Sequence, residues 1–145
     1  MTAAALVTQG YTLADVGTDH GYIPIYLLQQ KKIPSAIAMD INEGPLERAK
    51  EHIALYGLQA YIQTRLSDGV VALKPGEVEA VLIAGMGGGL IMHILKDGER
   101  ASVLSASGSL SRRLFCLDST SARASASFGS VWWVLTPPCS PTRDI

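Results

Sequence analysis

The sequence predicts an α/β protein built on one parallel sheet with helices on both faces. Short apolar runs with strand character alternate with segments of helical periodicity over residues 11–98, and most of the runs end at glycine or aspartate. Successive parallel strands need crossover connections, which are almost always right-handed. The alternation therefore predicts a sheet that binds its ligands at the carboxyl ends of the strands.

The first predicted unit is a strand followed by a helix. Residues 12–17, "TLADVG", have the content of a short buried strand, and residues 22–32, "YIPIYLLQQKK", form the following helix. Pro24 falls in the first turn of that helix, where no intrahelical hydrogen bond is lost. The glycine turn between them is a candidate ligand loop.

The second unit repeats this order. Residues 35–40, "SAIAMD", form a strand that ends in an acid, and residues 42–57, "NEGPLERAKEHIALYG", form a helix. Pro45 opens this helix, and Gly57 suits a left-handed end. The residues predicted to share its buried face are Leu46, Ala49, Ile53 and Tyr56.

Two further strands complete the predicted sheet. Residues 60–66, "AYIQTRL", form the third strand, and residues 69–76, "GVVALKPG", are a short connection. The fourth strand, "AVLIAG" at residues 80–85, runs into the helical segment "MGGGLIMHILK". Strands and helices thus alternate to the end of this region.

The composition changes near residue 100. The last 45 residues contain eleven serines, against two in the first hundred, and have no Lys or Glu. We therefore predict a domain over residues 1–100 and an irregular or disordered tail over residues 101–145, with one candidate strand, "SVWWVL", at 130–135. A further hypothesis is that the tail is translated from a shifted reading frame.

Charge and apolar patterning limit the class of protein. A net charge of -1 and a pI near 6.3 neither support nor exclude RNA binding. No signal peptide or membrane-spanning stretch is predicted, so we expect a soluble cytoplasmic protein. Cys116 and Cys139 lie far apart without CxxC spacing, and no metal site is predicted.

Four aspartates lie at or beyond the predicted strand ends: Asp15, Asp19, Asp40 and Asp68. Strand ends converge on one crevice in this fold. Asp40 follows Gly17 by about twenty residues, the position from which a carboxylate accepts hydrogen bonds from ribose hydroxyls. Nicotinamide enzymes and adenosylmethionine enzymes share that feature.

The loop after the first strand distinguishes these two classes. It reads G-T-D-H-G, with an acid where a dinucleotide-binding loop presents bare backbone to a pyrophosphate. Two unit charges about 4 Å apart interact by about 4 kcal/mol at an effective dielectric of 20. That interaction repels a phosphate and attracts the sulfonium and ammonium groups of S-adenosylmethionine. The loop therefore predicts S-adenosylmethionine as the cofactor.

Several residues have two readings. Asp15 either holds loop amides or contacts the methionine end of the cofactor. Asp68 is either a turn residue before Gly69 or an acceptor for the adenine amino group, which we favour. His52 is expected to be solvated surface and His93 helix packing, and neither is placed in the site.

Four segments together resemble a known family. "LADVGTDHGYIPIYLL", "AIAMDINEGPLERAKEHI", "RLSDGVVAL" and "LIAGMGGGLI" are similar to the TrmK-type bacterial tRNA (adenine(22)-N(1))-methyltransferases over roughly residues 11–98. The resemblance implies a Rossmann-like class I S-adenosylmethionine-dependent methyltransferase fold, here truncated after about four parallel strands. It implies methylation of N1 of an adenosine in tRNA, with tRNA as substrate. The family's later strands and helical coiled-coil domain are not recognisable after about Gly98.

The resemblance also implies roles for individual residues. The first loop would bind the methionine moiety, the second strand end the ribose, the third the adenine, and the fourth would lie between the cofactor and the target base. In that order, the predicted cofactor-binding residues are Asp15, Gly17, Thr18, Gly21, Asp40, Ile41, Ser67, Asp68, Gly69, Ala84, Gly85, Met86 and Gly87.

Three further residues are candidates for catalysis. Adenine N1 has an available lone pair, so positioning should supply most of the acceleration. Attack leaves a positive charge on the ring, which Asp19 would stabilise, with His20 or Tyr22 orienting the base. The alternative is that Asp19 binds the methionine ammonium. The rival functions are a small-molecule methyltransferase and an inactive fragment with partial cofactor binding, and the oligomeric state stays open.

Overall fold

A five-stranded parallel sheet forms the centre of the protein. The computed structural model describes residues 4, 7, 9–100 and 113–118. The strands run in the order β3-β2-β1-β4-β5, and every neighbouring pair is parallel. They are β1 (Leu13–Val16), β2 (Ala36–Asp40), β3 (Ile62–Leu66), β4 (Ala80–Met86) and β5 (Arg113–Asp118), and the helices are α1 (Tyr22–Gln29), α2 (Glu43–Leu55) and α3 (Gly88–Arg100).

Apolar side chains cover both faces of the sheet. All residues of β1 and β2 are buried, as expected for parallel strands with helices on each side. Leu13, Ala38 and Leu82 pack with α1 and α2 on one face, whereas Val16 and Ile83 pack with α3 on the other. The α/β architecture predicted from alternating apolar runs is therefore confirmed.

The strand order creates the crevice in which a ligand can bind. The chain passes from β1 outward through β2 to β3, then returns to place β4 on the other side of β1. The connections leaving β1 and β4 diverge to opposite faces of the sheet. In open α/β sheets, this point of reversal opens a crevice at the carboxyl ends of the strands.

The helix boundaries follow local chemistry. Pro24 lies buried in the first turn of α1, and Gly57 has φ 68 after the end of α2, as predicted. Leu46, Ala49 and Ile53 are buried on the inner face of α2. Tyr56 is a correction to the predicted buried face, since it is 52% exposed. The N–H of Tyr56 still donates to the carbonyl of His52 at 3.1 Å, so the helical spacing reaches this residue, but its ring lies in solvent at the end of the helix.

The strand β5 corrects the prediction of an irregular tail at residues 113–118. Its backbone pairs with β4 from Ala80 with Arg113 to Met86 with Asp118, with an irregularity between Ala84 and Met86. The sequence "RLFCLD" contains only four consecutive apolar residues, too few to distinguish a strand by periodicity. Pairing along the open edge of β4 supplies the backbone partners. The candidate strand at 130–135 lies outside the described residues.

No helix in the described part of the chain combines the length and the apolarity needed to cross a membrane.

Candidate cofactor-binding site

The loop after β1 is anchored through its own backbone amides. The N–H groups of Gly17 and Thr18 both donate to the carbonyl of Met39 on β2, at 2.8 and 2.9 Å. A phosphate-binding loop aims such amides at its ligand. Here the first two amides of the loop already have a protein acceptor, so they do not form a phosphate cradle.

Two glycines let this loop approach its neighbours closely. Gly17 has φ 74, and a Cβ there would lie 2.3 Å from Cε of Met86, at the end of β4. Gly21 has φ 73, and its Cβ would lie 3.3 Å from Cβ of Ala49 on α2. Positive φ costs little only for glycine. The loop is therefore packed between the end of β4 and the middle of α2.

Asp15 lies at the base of the crevice. Its side chain is buried and accepts a hydrogen bond from the hydroxyl of Thr18 at 2.8 Å. Burial raises the pKa of the Asp15 carboxyl to about 6, the Thr18 hydrogen bond opposes this, and the charge of Asp40 adds to it. The amides of Gly17 and Thr18 donate to the carbonyl of Met39. Asp15 therefore does not hold these two amides, as one of its two interpretations expected, and it accepts the Thr18 hydroxyl instead.

Asp40 occupies the carboxyl end of β2, as predicted. It is 9% exposed, and one carboxylate oxygen accepts the N–H of Asn42 at 3.0 Å. Its backbone carbonyl accepts the N–H of Ser67 at 2.9 Å, which ties the ends of β2 and β3 together. Ile41 follows it on the surface, 58% exposed.

The loop after β3 is closed by its own side chains. The hydroxyl of Ser67 donates to the carbonyl of Gly69 at 2.9 Å and accepts the N–H of Ala72 at 3.2 Å. Gly69 has φ 60, and a Cβ there would lie 3.0 Å from the Ile94 side chain. Ser67 and Gly69 thus build the turn, and Asp68 between them is exposed.

An ion pair that sequence analysis did not identify closes the same loop. Arg65 donates to both carboxylate oxygens of Glu77, at 2.7 and 2.8 Å, and to the carbonyl of Ala72 at 3.0 Å. The Arg65 hydrogen bond is the main reason that the pKa of Glu77 falls to about 2. The one available signal was an arginine inside a predicted strand.

The fourth strand end is open. Ala84 and Met86 are half-buried, Gly85 has φ 72, and a Cβ built on Gly85 or Gly87 would meet no atom within 4 Å. This segment lies beside the Gly17 loop through the Met86 side chain. The structure therefore brings the ends of β1, β2 and β4 together as the predicted crevice requires, with open space above the last.

The three candidate catalytic residues lie together at the end of the first loop. Asp19 has φ 52, is exposed, and pairs with Arg48 at 3.3 Å and with Nε2 of His20 at 3.5 Å. The rings of His20 and Tyr22 stack with centroids 5.2 Å apart. The ring of His52 stacks with both of these rings and is partly buried. The prediction that His52 is solvated surface was therefore wrong.

The other histidine expectation also needs correction. His93 does not pack within the core, because its side chain is 64% exposed on α3. It pairs instead with Asp97 at 3.2 Å, one turn further along the helix. Among the residues that the structure describes, no three His, Cys, Asp or Glu side chains are grouped to hold a metal ion.

Comparison with known proteins agrees with the predicted resemblance. The tRNA (adenine(22)-N(1))-methyltransferase of Bacillus subtilis is 43% identical over 98 residues, 68% of this chain and 41% of that protein. The M. capricolum TrmK structure with S-adenosyl-homocysteine matches with a TM-score of 0.63 and 39% identity, covering 68% of this chain and 45% of that one. A Streptococcus pneumoniae protein in complex with S-adenosyl-L-methionine matches with a TM-score of 0.66 and 42% identity, over 71% and 48%.

The chain spans less than half the length of each of these relatives. A family model described as a methyltransferase domain matches residues 1–110. That match covers all four strands that the sequence predicts and the segments that follow their carboxyl ends. The chain belongs to the methyltransferase-domain family.

Proposed function

We propose that this chain is the S-adenosylmethionine-binding part of an enzyme that methylates N1 of adenosine 22 in bacterial tRNA. The observation that supports this cofactor is the structure of the loop after β1. The N–H groups of Gly17 and Thr18 donate to the carbonyl of Met39, and Asp15 and Asp19 lie on either side of these residues in the chain. The relatives named above support both assignments. One is a tRNA (adenine(22)-N(1))-methyltransferase, which supports the substrate, and another holds the cofactor product S-adenosyl-homocysteine, which supports the cofactor. A tRNA substrate would place the activity in the cytoplasm.

The charges of the crevice fit a cationic cofactor. Asp40 is close enough to Asp15 for its charge to raise the pKa of the Asp15 carboxyl, and both side chains are buried. Among the described residues neither carboxylate is paired with a Lys or Arg side chain. Buried carboxylates without a cation are costly, and a ligand with sulfonium and ammonium charges would relieve that cost.

Each strand end then has a role toward the cofactor. Asp40 would accept hydrogen bonds from the ribose, next to Ile41. Asp15, Gly17, Thr18 and Gly21 would surround the methionine moiety, and Ser67, Asp68 and Gly69 the adenine. The open segment Ala84, Gly85, Met86 and Gly87 would lie between the cofactor and the target base, where the structure leaves room around both glycines.

The cofactor, when bound, supplies an electrophilic methyl group on its sulfonium. Transfer of that methyl group to the N1 lone pair would move the positive charge from the sulfonium to the adenine ring. Asp19 lies exposed at the loop, where its carboxylate would stabilise that charge, and the proton lost later from the N6 amino group would pass to it. His20 and Tyr22 would orient the base.

Binding and transfer are tested separately on the 145-residue chain. Calorimetry should show micromolar binding of S-adenosylhomocysteine and no binding of NAD⁺, because the pyrophosphate meets the carboxylates. The variant Asp40→Ala should weaken S-adenosylhomocysteine binding by about 10-fold or more, since bonds to a charged group contribute about 1.5–3 kcal/mol. Tighter binding of NAD⁺ than of S-adenosylhomocysteine would overturn the cofactor assignment.

Methyl transfer is followed with S-adenosylmethionine carrying a labelled methyl group. We expect label in N1 of adenosine in a bacterial tRNA transcript, and none in a transcript with guanosine at position 22. The same assay on a pool of small metabolites tests the rival substrate class. Tight cofactor binding with label entering metabolites and not tRNA would contradict the proposed substrate.

A further inference from the structure

A pocket lies at the amino end of the sheet, opposite the cofactor crevice. Its volume is about 380 Å³, within the range of about 300–1,000 Å³ that is typical of sites for small organic ligands. Parts of three segments line it, and each segment precedes a strand: residues 9–10 before β1, 28–34 before β2 and 58–61 before β3. We call it the amino-end pocket. Strands of four and five residues, about 15 Å long, separate it from the crevice.

Hydrogen bonds between the three segments fix the shape of the amino-end pocket. The N–H of Gly10 donates to the carbonyl of Lys32 at 2.8 Å, and the N–H of Ala36 donates to the carbonyl of Tyr61 at 2.9 Å. Nζ of Lys32 donates to the carbonyl of Ala4 at 3.1 Å. A ligand therefore meets a pocket that is already formed, and binding does not have to order its walls.

Apolar side chains form much of the wall of the amino-end pocket. Ile33 is buried, and Leu28 and Leu58 are partly buried against the apolar core on the α1 and α2 side of the sheet. Tyr61 is 54% exposed and lines the same pocket. A pocket that leaves such surface in contact with water favours a ligand with an apolar body, because binding removes that surface from water.

The charge of the amino-end pocket is positive. Lys31 and Lys32 line it, and no Asp or Glu does. Arg48, Lys50 and Arg65 each pair with a carboxylate, whereas Lys31 is exposed and has no such pair among the residues that the structure describes. An ammonium group beside an apolar wall is complementary to an anionic group on an apolar body.

The backbone of Lys31 supports a role beyond the end of the helix. The N–H of Lys31 donates to the carbonyl of Leu28 and that of Lys32 to the carbonyl of Leu27, both at 2.9 Å, which closes α1 in a Schellman motif. Lys31 has φ 54, the conformation for which such motifs favour glycine. The dipole of α1 attracts a cation to this end, but residues 29–30 could carry that cation without strain. Strained residues of this kind are often found at binding sites.

We propose that the amino-end pocket is a second ligand site, which binds a small organic anion. The anionic group of the ligand pairs with Lys31, and its apolar body lies against Leu28, Leu58 and Tyr61. The apolar wall keeps water from part of this ion pair and so strengthens it. The pocket shares no residue with the proposed cofactor site, so this inference does not depend on the proposed function.

The test is an NMR titration of the 145-residue chain with three probes. Naphthalene-2-carboxylate carries an anionic group on a flat apolar body, naphthalene-2-carboxamide has the same body without charge, and acetate has the charge without the body. We expect naphthalene-2-carboxylate to shift the amide signals of residues 28–33 and 58–61 most. It should bind about 5- to 10-fold more tightly than the carboxamide, as expected for one partly shielded ion pair, and acetate should not saturate the site.

Two variants of Lys31 separate binding from stability. Lys31→Gly should raise the urea midpoint of unfolding, because glycine adopts positive φ without strain, and should weaken naphthalene-2-carboxylate binding to the level of the carboxamide. Lys31→Gln should weaken binding equally without raising the midpoint. Tyr61→Ala removes apolar surface and should weaken both naphthalene probes alike. The control is Lys96→Gln, an exposed lysine on α3 that should leave every affinity unchanged.

Each contrary outcome overturns a stated part of the inference. Equal affinity of the carboxylate and the carboxamide for wild type, or unchanged carboxylate affinity in both Lys31 variants, would show that the pocket does not select an anion. Shifts confined to the carboxyl ends of β1, β2 and β4, or competition by S-adenosylhomocysteine, would place the probe in the cofactor crevice instead. The titration needs no cofactor, so a chain that fails to bind S-adenosylhomocysteine would contradict the proposed function alone.

Discussion

The loops after β1 and β3 border the same crevice, yet they are stabilised in different ways. Residues 67–79 are closed by nearby side chains, through the hydroxyl of Ser67 and through the pair between Arg65 on β3 and Glu77. The loop after β1 is held by its neighbours, through Met39 on β2 and the face of α2 that carries Arg48 and His52. The first arrangement is local, and the second depends on the packing of the whole sheet.

The difference separates polar groups that are paired and shielded within the protein from groups that are exposed or lack a cation. In the loop after β3, the ion pair is shielded, with side-chain exposures of 19% and 24%. Around the loop after β1, the pair of Asp19 with Arg48 is exposed and the buried carboxylate of Asp15 has no cation among the described residues. Residues at functional sites often reduce stability in this way.

The largest expected effect comes from Asp15→Asn. The pKa of Asp15 in the folded chain, about 6, exceeds its ordinary 3.8, so the folded state binds a proton more readily than the unfolded one. Stability from this group is therefore greatest below about pH 4 and falls as the pH rises toward 6. Asparagine can still accept the Thr18 bond without charge. Asp15→Asn should raise the free energy of unfolding by up to about 3 kcal/mol at pH 7 and have little effect near pH 4.

Urea unfolding of both proteins between pH 4 and pH 8 measures this difference. The control is the same substitution at the exposed Asp68, which should change the free energy of unfolding by less than about 0.5 kcal/mol. A difference between wild type and Asp15→Asn that does not grow with pH would show that Asp15 is not a source of instability.

The next effect concerns the loop after β3. Arg65→Met removes the bidentate partner of Glu77 and should lower the free energy of unfolding by about 1–3 kcal/mol at neutral pH. Because the pKa of Glu77 is lowered from 4.5 to about 2, the contribution of the pair is full above about pH 4.5 and is lost as the pH falls through 2. The destabilisation caused by Arg65→Met should therefore shrink in acid.

Thermal unfolding across this pH range provides the measurement. Lys50→Met is a matched control, since Lys50 pairs with Glu47 on the exposed surface of α2 and its loss should cost less than about 0.5 kcal/mol. If both substitutions lowered the free energy of unfolding equally, shielding from solvent would not strengthen the ion pair between Arg65 and Glu77.

Ser67→Ala should have a smaller effect on the same loop. It removes the hydroxyl that links the carbonyl of Gly69 to the N–H of Ala72, and should lower the free energy of unfolding by about 1 kcal/mol. Hydrogen exchange of the Ala72 amide should become faster, with little change in β1. Ser35→Ala serves as the control, and comparable losses in both would place the effect outside the turn.

The smallest stability effect is expected for Arg48→Gln. The pair with Asp19 joins side chains that are 48% and 60% exposed, so its loss should cost less than about 1 kcal/mol and vanish in high salt. Urea unfolding at low and high salt measures this. A salt-independent loss of stability larger than that caused by Arg65→Met would show that the exposed pair in the loop after β1 stabilises the protein more than the shielded pair in the loop after β3.

Much of the sheet could be predicted because its signals are local. Apolar runs ending in glycine or aspartate mark β1 to β4, and Asp40 could be placed at a strand end by counting along the chain. His52 could not, because its partners lie about thirty residues away and nothing in the helical pattern distinguishes it from solvated surface. The strand β5 was missed for a similar reason, since pairing along β4, and not its own pattern, defines it.

The sequence by itself determined the α/β class, the positions of the four aspartates and a first loop unsuited to phosphate, since these follow from short-range periodicity and charge. Only the tertiary structure decided the order β3-β2-β1-β4-β5, the burial of Asp15 beside Asp40, and the approach of α2 to the loop. The physical reason is that strand order, desolvation and ring stacking arise from contacts between residues distant in the chain, which no local pattern encodes.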